Sequence, residues 1–147
     1  PETRKALIGQ YGGPLPAIPL PEYGWSGEAH REGFLAFLAF VRRNLAGQTA
    51  LRVDPSWATQ AQVIAGFAQV IQPDHILRET SLAPGLALLG AETGRKVPPA
   101  PDALRDVPFS LSDICDDAVE AAVRAAYQRD YVQFGFRSWA EEAGAAL

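Results

Sequence analysis

The chain has 147 residues, of which 48% are hydrophobic and 20% charged, and this balance is ordinary for one globular domain with an apolar core. Thirteen basic against seventeen acidic residues give a net charge of -4, and the basic residues are scattered, so no nucleic-acid partner is expected. Because Cys115 is the one cysteine and there are only two histidines, we expect neither an intrachain disulfide nor a zinc site, and a reducing, cytoplasmic setting fits.

The longest strongly apolar run extends from Phe34 to Val41. This is about half of the roughly 20 residues that a membrane-spanning helix needs, so no membrane span is expected. The sequence begins at Pro1 and contains no methionine, which suggests a processed or truncated piece of a longer product.

The first 27 residues are rich in residues that disfavour regular structure. They carry five of the twelve prolines and five of the thirteen glycines. Because proline lacks a backbone donor and fixes its own φ, we expect no regular helix or central strand there. The sequence therefore predicts an extended Pro/Gly-rich arm over 1–27 and a helical part over 28–147. We expect the arm either to pack on that part through Tyr11, Tyr23 and Trp25 or to stay mobile without a missing neighbour.

Two helices are predicted in the next stretch of chain. Apolar residues at helical spacing predict the first over 28–46, with Gly47 as its stop. The same spacing predicts the second over 58–71, and Pro73 ends it.

A short strand is predicted between the second and third helices. It covers 74–79, where β-branched and apolar residues lie between a proline and a polar pair. The third helix is predicted over 81–89, with Ser81 as its N-cap and Gly90 closing it. Residues 91–109 contain four prolines and no sustained period, and they are predicted to be a loop.

The clearest helix begins at Ser110, where Asp113 three residues later resembles a capping box. We predict that it continues to about Gln133 and is broken by Gly135. A last short helix follows, capped within 138–141. The predicted fold is thus mostly α with one or two short strands.

A phosphate-binding loop is absent from the sequence. Such a loop joins a strand to a helix, so that its backbone N–H groups surround the anion. The nearest stretch, from Gly90 to Lys96, follows a predicted helix, and Glu92 would repel a phosphate. We therefore expect this chain to bind no nucleotide cofactor.

Three short segments form a more specific pattern. They are Trp57-Ala-Thr-Gln60, the pair Arg78-Glu79 with leucines after it, and the aromatic segment that runs from Tyr127 to Phe136. In this order and spacing, over residues 34 to 139, the chain resembles the membrane-type carbohydrate sulfotransferases and their bacterial relatives, sulfotransferase family 2.

The resemblance implies the C-terminal portion of a P-loop-type α/β sulfotransferase-like fold. The complete parent would transfer a sulfonate group from 3′-phosphoadenosine-5′-phosphosulfate to a carbohydrate-like acceptor hydroxyl. The family holds that donor through elements N-terminal to the matched region, so the isolated chain is expected to be inactive. The resemblance gives the substrate-binding candidates Ser56, Trp57, Gln60, Arg78 and Glu79. It leaves the catalytic base unassigned, and Ser56 stands where the family usually has histidine.

Purely structural roles for the same residues remain as alternatives. Trp57 fits a core anchor, Arg78 and Glu79 fit a structural ion pair, and the segment from Tyr127 to Phe136 fits a packing seam. One alternative function is a non-catalytic helical binding or scaffold module. Another is a degenerate relative of the family that keeps the fold and binds a sugar or a partner without catalysis. For partners, a second copy of the chain or a missing N-terminal half would cover apolar helix faces left exposed.

Overall fold

The computed structural model describes residues 2–11, 24–99 and 109–145, and these residues are mostly helical. They form α1 (Glu2–Tyr11), α2 (Gly27–Leu45), α3 (Gln60–Ala68), α4 (Leu82–Thr93), α5 (Leu111–Ile114), α6 (Asp117–Ala126), α7 (Gln128–Phe134) and α8 (Trp139–Ala145), with a 3-10 turn at Glu79–Ser81. No β-strand occurs within these ranges. Nor is any helix in them both long and apolar enough to cross a lipid bilayer.

The core is built around α2, which contacts α1, α5 and α6. Phe40 and Val41 on α2 are fully buried, as is Val119 on α6. Tyr11 of α1 lies edge-on to Phe40, with 5.8 Å between the ring centroids. A second group of contacts joins α3 to α7 and α7 to α6. α7, which carries most of the aromatic segment, and α3, which packs on it, are thus connected to the core through α6.

The observed α2 agrees closely with the helix predicted over 28–46. It begins after Ser26, whose hydroxyl accepts a 3.2 Å hydrogen bond from the Ala29 N–H. It ends at Leu45 and is followed by Gly47, whose φ of 70° is the left-handed conformation that a glycine adopts without strain.

The extended conformation predicted for the Pro/Gly-rich arm is wrong over Glu2–Tyr11, which forms α1. The prolines of this region stand at position 1 and from Pro14 onward, so 2–11 contains no helix breaker other than Gly9. The expected packing of Tyr11 is confirmed, and Trp25 is buried as well. Tyr23 and the rest of 12–23 lie outside the described residues.

The strand predicted over 74–79 is also wrong. Arg78 has extended dihedral angles, but no neighbouring strand in the described part of the chain offers it hydrogen bonds, and an isolated strand is not stable. The segment instead packs on α4 through Leu77, because a Cβ at Gly85 would lie 2.7 Å from the Leu77 Cδ2. Glu79 then begins the 3-10 turn that leads into α4.

The boundaries of α3 and α4 differ from the predicted ones. α3 begins later than the predicted position 58, because Thr59 caps its first turn by accepting from the Gln62 N–H at 3.2 Å, and it ends at Ala68 instead of 71. α4 continues through Gly90 to Thr93, and Gly94 ends it in the left-handed conformation. Ser81 precedes α4 but makes no side-chain cap. The part of the predicted loop that falls on 100–108 lies outside the described residues.

The single helix predicted from Ser110 to Gln133 is three helices, α5, α6 and α7. The capping box at its start is confirmed, since the Ser110 N–H donates to Asp113 Oδ2 at 2.7 Å. The chain then breaks because Asp116 forms a second N-cap, accepting from the Val119 N–H at 2.9 Å. It breaks again at Tyr127, and Gly135 ends α7 as predicted. The cap expected within 138–141 is confirmed at α8, where the Ser138 N–H donates to Glu141 at 2.9 Å.

We expect the charge of Asp116 to stabilise the α5–α6 junction. The Val119 N–H, and after it the Arg31 guanidinium at 2.7 Å, lower the pKa of Asp116 below the ordinary 3.8. Because the folded-state pKa is depressed, the stabilisation is complete above pH 3.8 and is lost as the pH falls through that lower value. Asp116→Asn keeps a good N-cap and removes the charge. Its melting temperature should lie below that of the wild type at neutral pH, and the gap should close in acid.

Thermal melts at a series of pH values check this expectation, with Asp117→Asn as the control that removes a neighbouring exposed charge. A gap for Asp116→Asn that is the same at neutral pH and well below pH 3.8 would contradict the role of the charge.

Candidate functional site

A cleft of about 300 Å³ lies between the start of α3 and the aromatic segment. One side is formed by residues just before and at the start of α3, and the other by α6, α7 and the chain after α7. Its lining consists of Ser56, Trp57, Ala58, Gln60, Val123, Tyr127, Asp130, Tyr131 and Phe136. Residues far apart in sequence therefore meet at one surface depression.

Asp130 joins the two sides of the cleft. Its carboxylate accepts hydrogen bonds from the Gln60 N–H at 2.8 Å and the Ala61 N–H at 3.0 Å, and only 3% of the residue is exposed. These two amides are among the unpaired donors at the N-terminus of α3, where a negative charge is also favoured by the helix dipole. Asp130 thereby holds the first turn of α3 against α7.

Trp57 is anchored in the core below the cleft. Its indole Nε1–H donates to Asn44 Oδ1 at 2.9 Å, and its ring lies edge-on to Phe37 and Phe40 with 5.9 Å between centroids in each pair. The Tyr127 hydroxyl donates to the Trp57 carbonyl at 3.1 Å. Trp57 therefore sets the shape of the cleft floor mainly through packing.

Asn44 connects this floor to the loop after α2. The residue is 2% exposed, and its amide nitrogen donates to Thr49 Oγ1 and to the Leu51 carbonyl, both at 2.7 Å. Its amide oxygen accepts from the Trp57 indole, so both polar atoms of this buried side chain have partners. The network fixes the chain that leads from α2 to Trp57.

Tyr131 forms part of the opposite wall. Its hydroxyl donates to Glu120 Oε1 at 3.2 Å, and the Arg124 guanidinium lies 4.6 Å from the ring centroid. Burial, followed by the charge of Glu120, raises the pKa of Tyr131 above its ordinary value. Burial likewise raises the pKa of Tyr127. Both phenols are therefore protonated near neutral pH.

Arg78 supports the cleft from outside its lining. Its guanidinium donates to the Phe134 carbonyl and lies 5.5 Å from the centroid of the Phe136 ring, which forms part of the wall. A longer ion pair, 3.9 Å, joins Arg78 to Glu142. No ion pair joins Arg78 to Glu79, so the structural pair that the sequence suggested does not form.

Of the remaining residues predicted from the sequence, two lie at the rim of the cleft and one lies away from it. Ser56 and Gln60 are exposed at the rim of the cleft. The Ser56 hydroxyl donates to Asp54, and this bond, with a second one from the Ser56 N–H at 2.9 Å, lowers the pKa of Asp54. Glu79 is exposed at the start of the 3-10 turn and does not line the cleft.

The lining residues of the aromatic segment were predicted only as a packing seam. Tyr127, Asp130 and Tyr131 stand at i, i+3 and i+4, a spacing that brings side chains to one helix face. In the structure they face the start of α3. The aspartate between two tyrosines at that spacing is the sequence signal that favours a site.

The cleft is suited to binding and offers little chemistry of its own. Three aromatic residues of its walls provide apolar faces, and Ser56 and Gln60 provide polar groups at the rim. Both oxygens of Asp130 already accept backbone hydrogen bonds, so this carboxylate is not placed to remove a proton from a ligand. In the described ranges, no group of three histidine, cysteine or acidic side chains could hold a metal ion.

The stretch from Gly90 to Lys96 is not a phosphate loop. Its first four residues belong to α4, and Gly94 ends that helix. The stretch therefore lies at a helix C-terminus, where carbonyl groups rather than N–H groups are exposed.

The chain was compared with models of known protein families, with curated proteins and with solved structures, and none of the three comparisons found a match.

Proposed function

We propose that this chain is the acceptor-binding part of a sulfotransferase-like domain and acts in the cytoplasm. The complete parent would transfer a sulfonate group from 3′-phosphoadenosine-5′-phosphosulfate to a hydroxyl of a carbohydrate-like acceptor. The cleft would bind the acceptor, and the donor site would be supplied by a P-loop-type phosphate-binding half.

The observation that carries this proposal is the convergence of the three segments behind the resemblance. The backbone at Gln60 is bonded to Asp130, and Arg78 is bonded to Phe134 and stacks on Phe136. The segments are separated by as many as 70 positions in sequence. The contact between these segments supports treating them as one unit of the proposed domain.

The polarity of the cleft also supports an acceptor rather than a donor. Among the described residues its lining contains no arginine or lysine, whereas the phosphates of the donor need cationic groups and clustered N–H groups. Aromatic faces with hydrogen-bonding groups at the rim fit the flat apolar faces and hydroxyl edges of a sugar ring. The residues present thus do not fit the donor and do fit a neutral polyol.

In the proposed reaction the acceptor oxygen attacks sulfur, its proton passes to a base, and the bond from sulfur to the nucleotide's phosphate oxygen breaks. The products are the sulfate ester and 3′-phosphoadenosine-5′-phosphate. Within the described residues the cleft can bind and orient the acceptor, and its walls can exclude water. The base would come from the phosphate-binding half or from a group near Ser56.

Replacing the exposed rim residue Gln60 by alanine tests the acceptor site. The backbone N–H that Asp130 accepts remains in Gln60→Ala, so the fold should be retained while a hydrogen bond to the ligand is lost. We expect saturable binding of neutral oligosaccharides by the purified chain, measured by calorimetry, and about tenfold weaker binding by the variant.

Gln62→Ala is the matched control, because Gln62 is an exposed glutamine on the same helix that does not line the cleft. It should bind oligosaccharides as the wild type does. Equal loss in both variants, or no saccharide binding by the wild-type chain, would contradict an acceptor site. Saturable binding of 3′-phosphoadenosine-5′-phosphate to this chain would contradict the placement of the donor site elsewhere.

A second candidate is a non-catalytic binding or scaffold module. It is favoured by apolar residues exposed on α3 and the turn after it, where Phe67 is 72%, Val70 84% and Ile71 75% exposed. Sedimentation velocity, which measures the oligomeric state, combined with the binding assay distinguishes the two candidates. A dimer that Phe67→Ser dissociates favours the scaffold, whereas a monomer that binds saccharides favours the acceptor domain.

A further inference from the structure

A further cavity lies away from the cleft, between α1 and the C-terminal half of α2. It measures about 660 Å³, and a second cavity of about 430 Å³ adjoins it. Arg43 and Gln48 line both, and we refer to the two adjoining cavities together as the α1–α2 groove. This α1–α2 groove shares no lining residue with the cleft at Gln60.

The groove is basic although the chain is acidic. Its lining includes Lys5, Arg42 and Arg43, and among the described residues it contains no aspartate or glutamate, whereas the whole chain has a net charge of -4. Among the described residues, none of these three cations makes an ion pair. A concave surface with clustered positive charge concentrates anions.

The end of α2 would ordinarily oppose an anion, because its last carbonyls carry partial negative charge. Here the carbonyls of Arg42, Arg43 and Asn44 accept hydrogen bonds from the N–H groups of the turn that follows, at 3.2, 2.8 and 3.0 Å. These bonds occupy part of the acceptor capacity at the helix end. The guanidinium groups of Arg42 and Arg43 add positive charge at the same place.

The remaining lining indicates the size and kind of ligand. Tyr11 contributes aromatic surface, and Gln10, Gln48 and Thr49 contribute polar groups. A cavity of this volume lies in the range of small-molecule sites and is larger than an inorganic ion requires. Arginine and lysine together match the oxygens of a sulfate or phosphate group.

We propose that the α1–α2 groove binds a small sulfate or phosphate ester with a sugar-sized body. The charged group contacts Lys5 and Arg43, and the body lies along the aromatic and amide surface. This site is additional to the acceptor cleft and does not depend on it.

The test is a titration of the isotope-labelled chain by NMR at constant ionic strength, with glucose 6-sulfate in one arm and glucose 6-phosphate in the other. We expect saturable shifts of the Gln48 and Thr49 amides with at least one ester. The double substitution Lys5→Gln with Arg43→Gln should weaken binding at least about tenfold, since two charge-assisted contacts are lost. Saturation in one arm alone identifies which ester the groove prefers.

Arg95→Gln with Lys96→Gln is the matched control, because it removes the same charge from exposed positions outside the groove. The control should bind as the wild type does, and so should Gln60→Ala. Shifts that rise linearly without saturation, or equal weakening in the two double variants, would overturn the site. Arg42→Gln alone provides a second, milder variant if the first double variant does not keep the wild-type spectrum.

Discussion

Replacing Asp130 by alanine is expected to destabilise the protein by about 3 kcal/mol. The substitution leaves the Gln60 and Ala61 N–H groups without their acceptors in a buried environment, and it removes the bond between α7 and the start of α3. Urea unfolding followed by circular dichroism measures the loss. Because the same bonds hold the two sides of the cleft together, saccharide binding should disappear as well.

Asp130→Asn should fall between the wild type and alanine, since its amide oxygen can accept one of the two bonds while its NH2 group faces the other donor. Asp74→Ala, at an exposed position, controls for the loss of an acidic side chain. If Asp130→Ala were no less stable than Asp74→Ala, the proposed connection between the two segments would be wrong.

Replacing Phe40 by alanine is expected to have the largest effect on stability, about 3–5 kcal/mol. Phe40 is fully buried and packs against Tyr11, Phe37 and Trp57. The cavity left by the substitution removes the support beneath Trp57, and therefore beneath the cleft floor. Denaturant unfolding monitored by tryptophan fluorescence measures the lost stability, and Trp57 is one of the three tryptophans that contribute to the signal.

Phe67→Ala removes the same number of atoms from a side chain that is 72% exposed. Its effect on the unfolding free energy should be within about 0.5 kcal/mol of zero. Similar losses for Phe40→Ala and Phe67→Ala would mean that the core does not centre on α2.

Periodicity and capping predicted most of the helices because these signals are local. The apolar spacing of α2, the capping pair of Ser110 and Asp113, and the helix stops at Gly47 and Gly135 all act within a few residues. The general conclusion of a mostly helical chain followed from them.

The wrong predictions involve signals that compete or act at a distance. Proline content over 1–27 obscured the short proline-free stretch that forms α1. The pattern of 74–79 fits a strand, but a strand needs a partner that its own residues do not provide. A second N-cap at Asp116 interrupted a continuous apolar period, which shows that one side-chain bond can outweigh the pattern around it.

The candidate site was predictable only in part, because a sequence pattern shows local features and not contacts between distant residues. The sequence indicated Ser56, Trp57 and Gln60, which do line the cleft, and Arg78, which supports its wall. It could not indicate that Asp130 bonds to α3, because this contact spans 70 positions. Glu79 lies away from the cleft, since the turn that it begins is directed to α4.

The most direct test of the sulfotransferase proposal is sulfonate transfer by the complete product of the gene. The protein would be incubated with radiolabelled 3′-phosphoadenosine-5′-phosphosulfate and a panel of oligosaccharides, and labelled acceptor would be counted. We expect labelled saccharide whose amount depends on acceptor concentration and falls in Gln60→Ala but not in Gln62→Ala. Absence of label from every acceptor, or labelling that Gln60→Ala leaves unchanged, would contradict it.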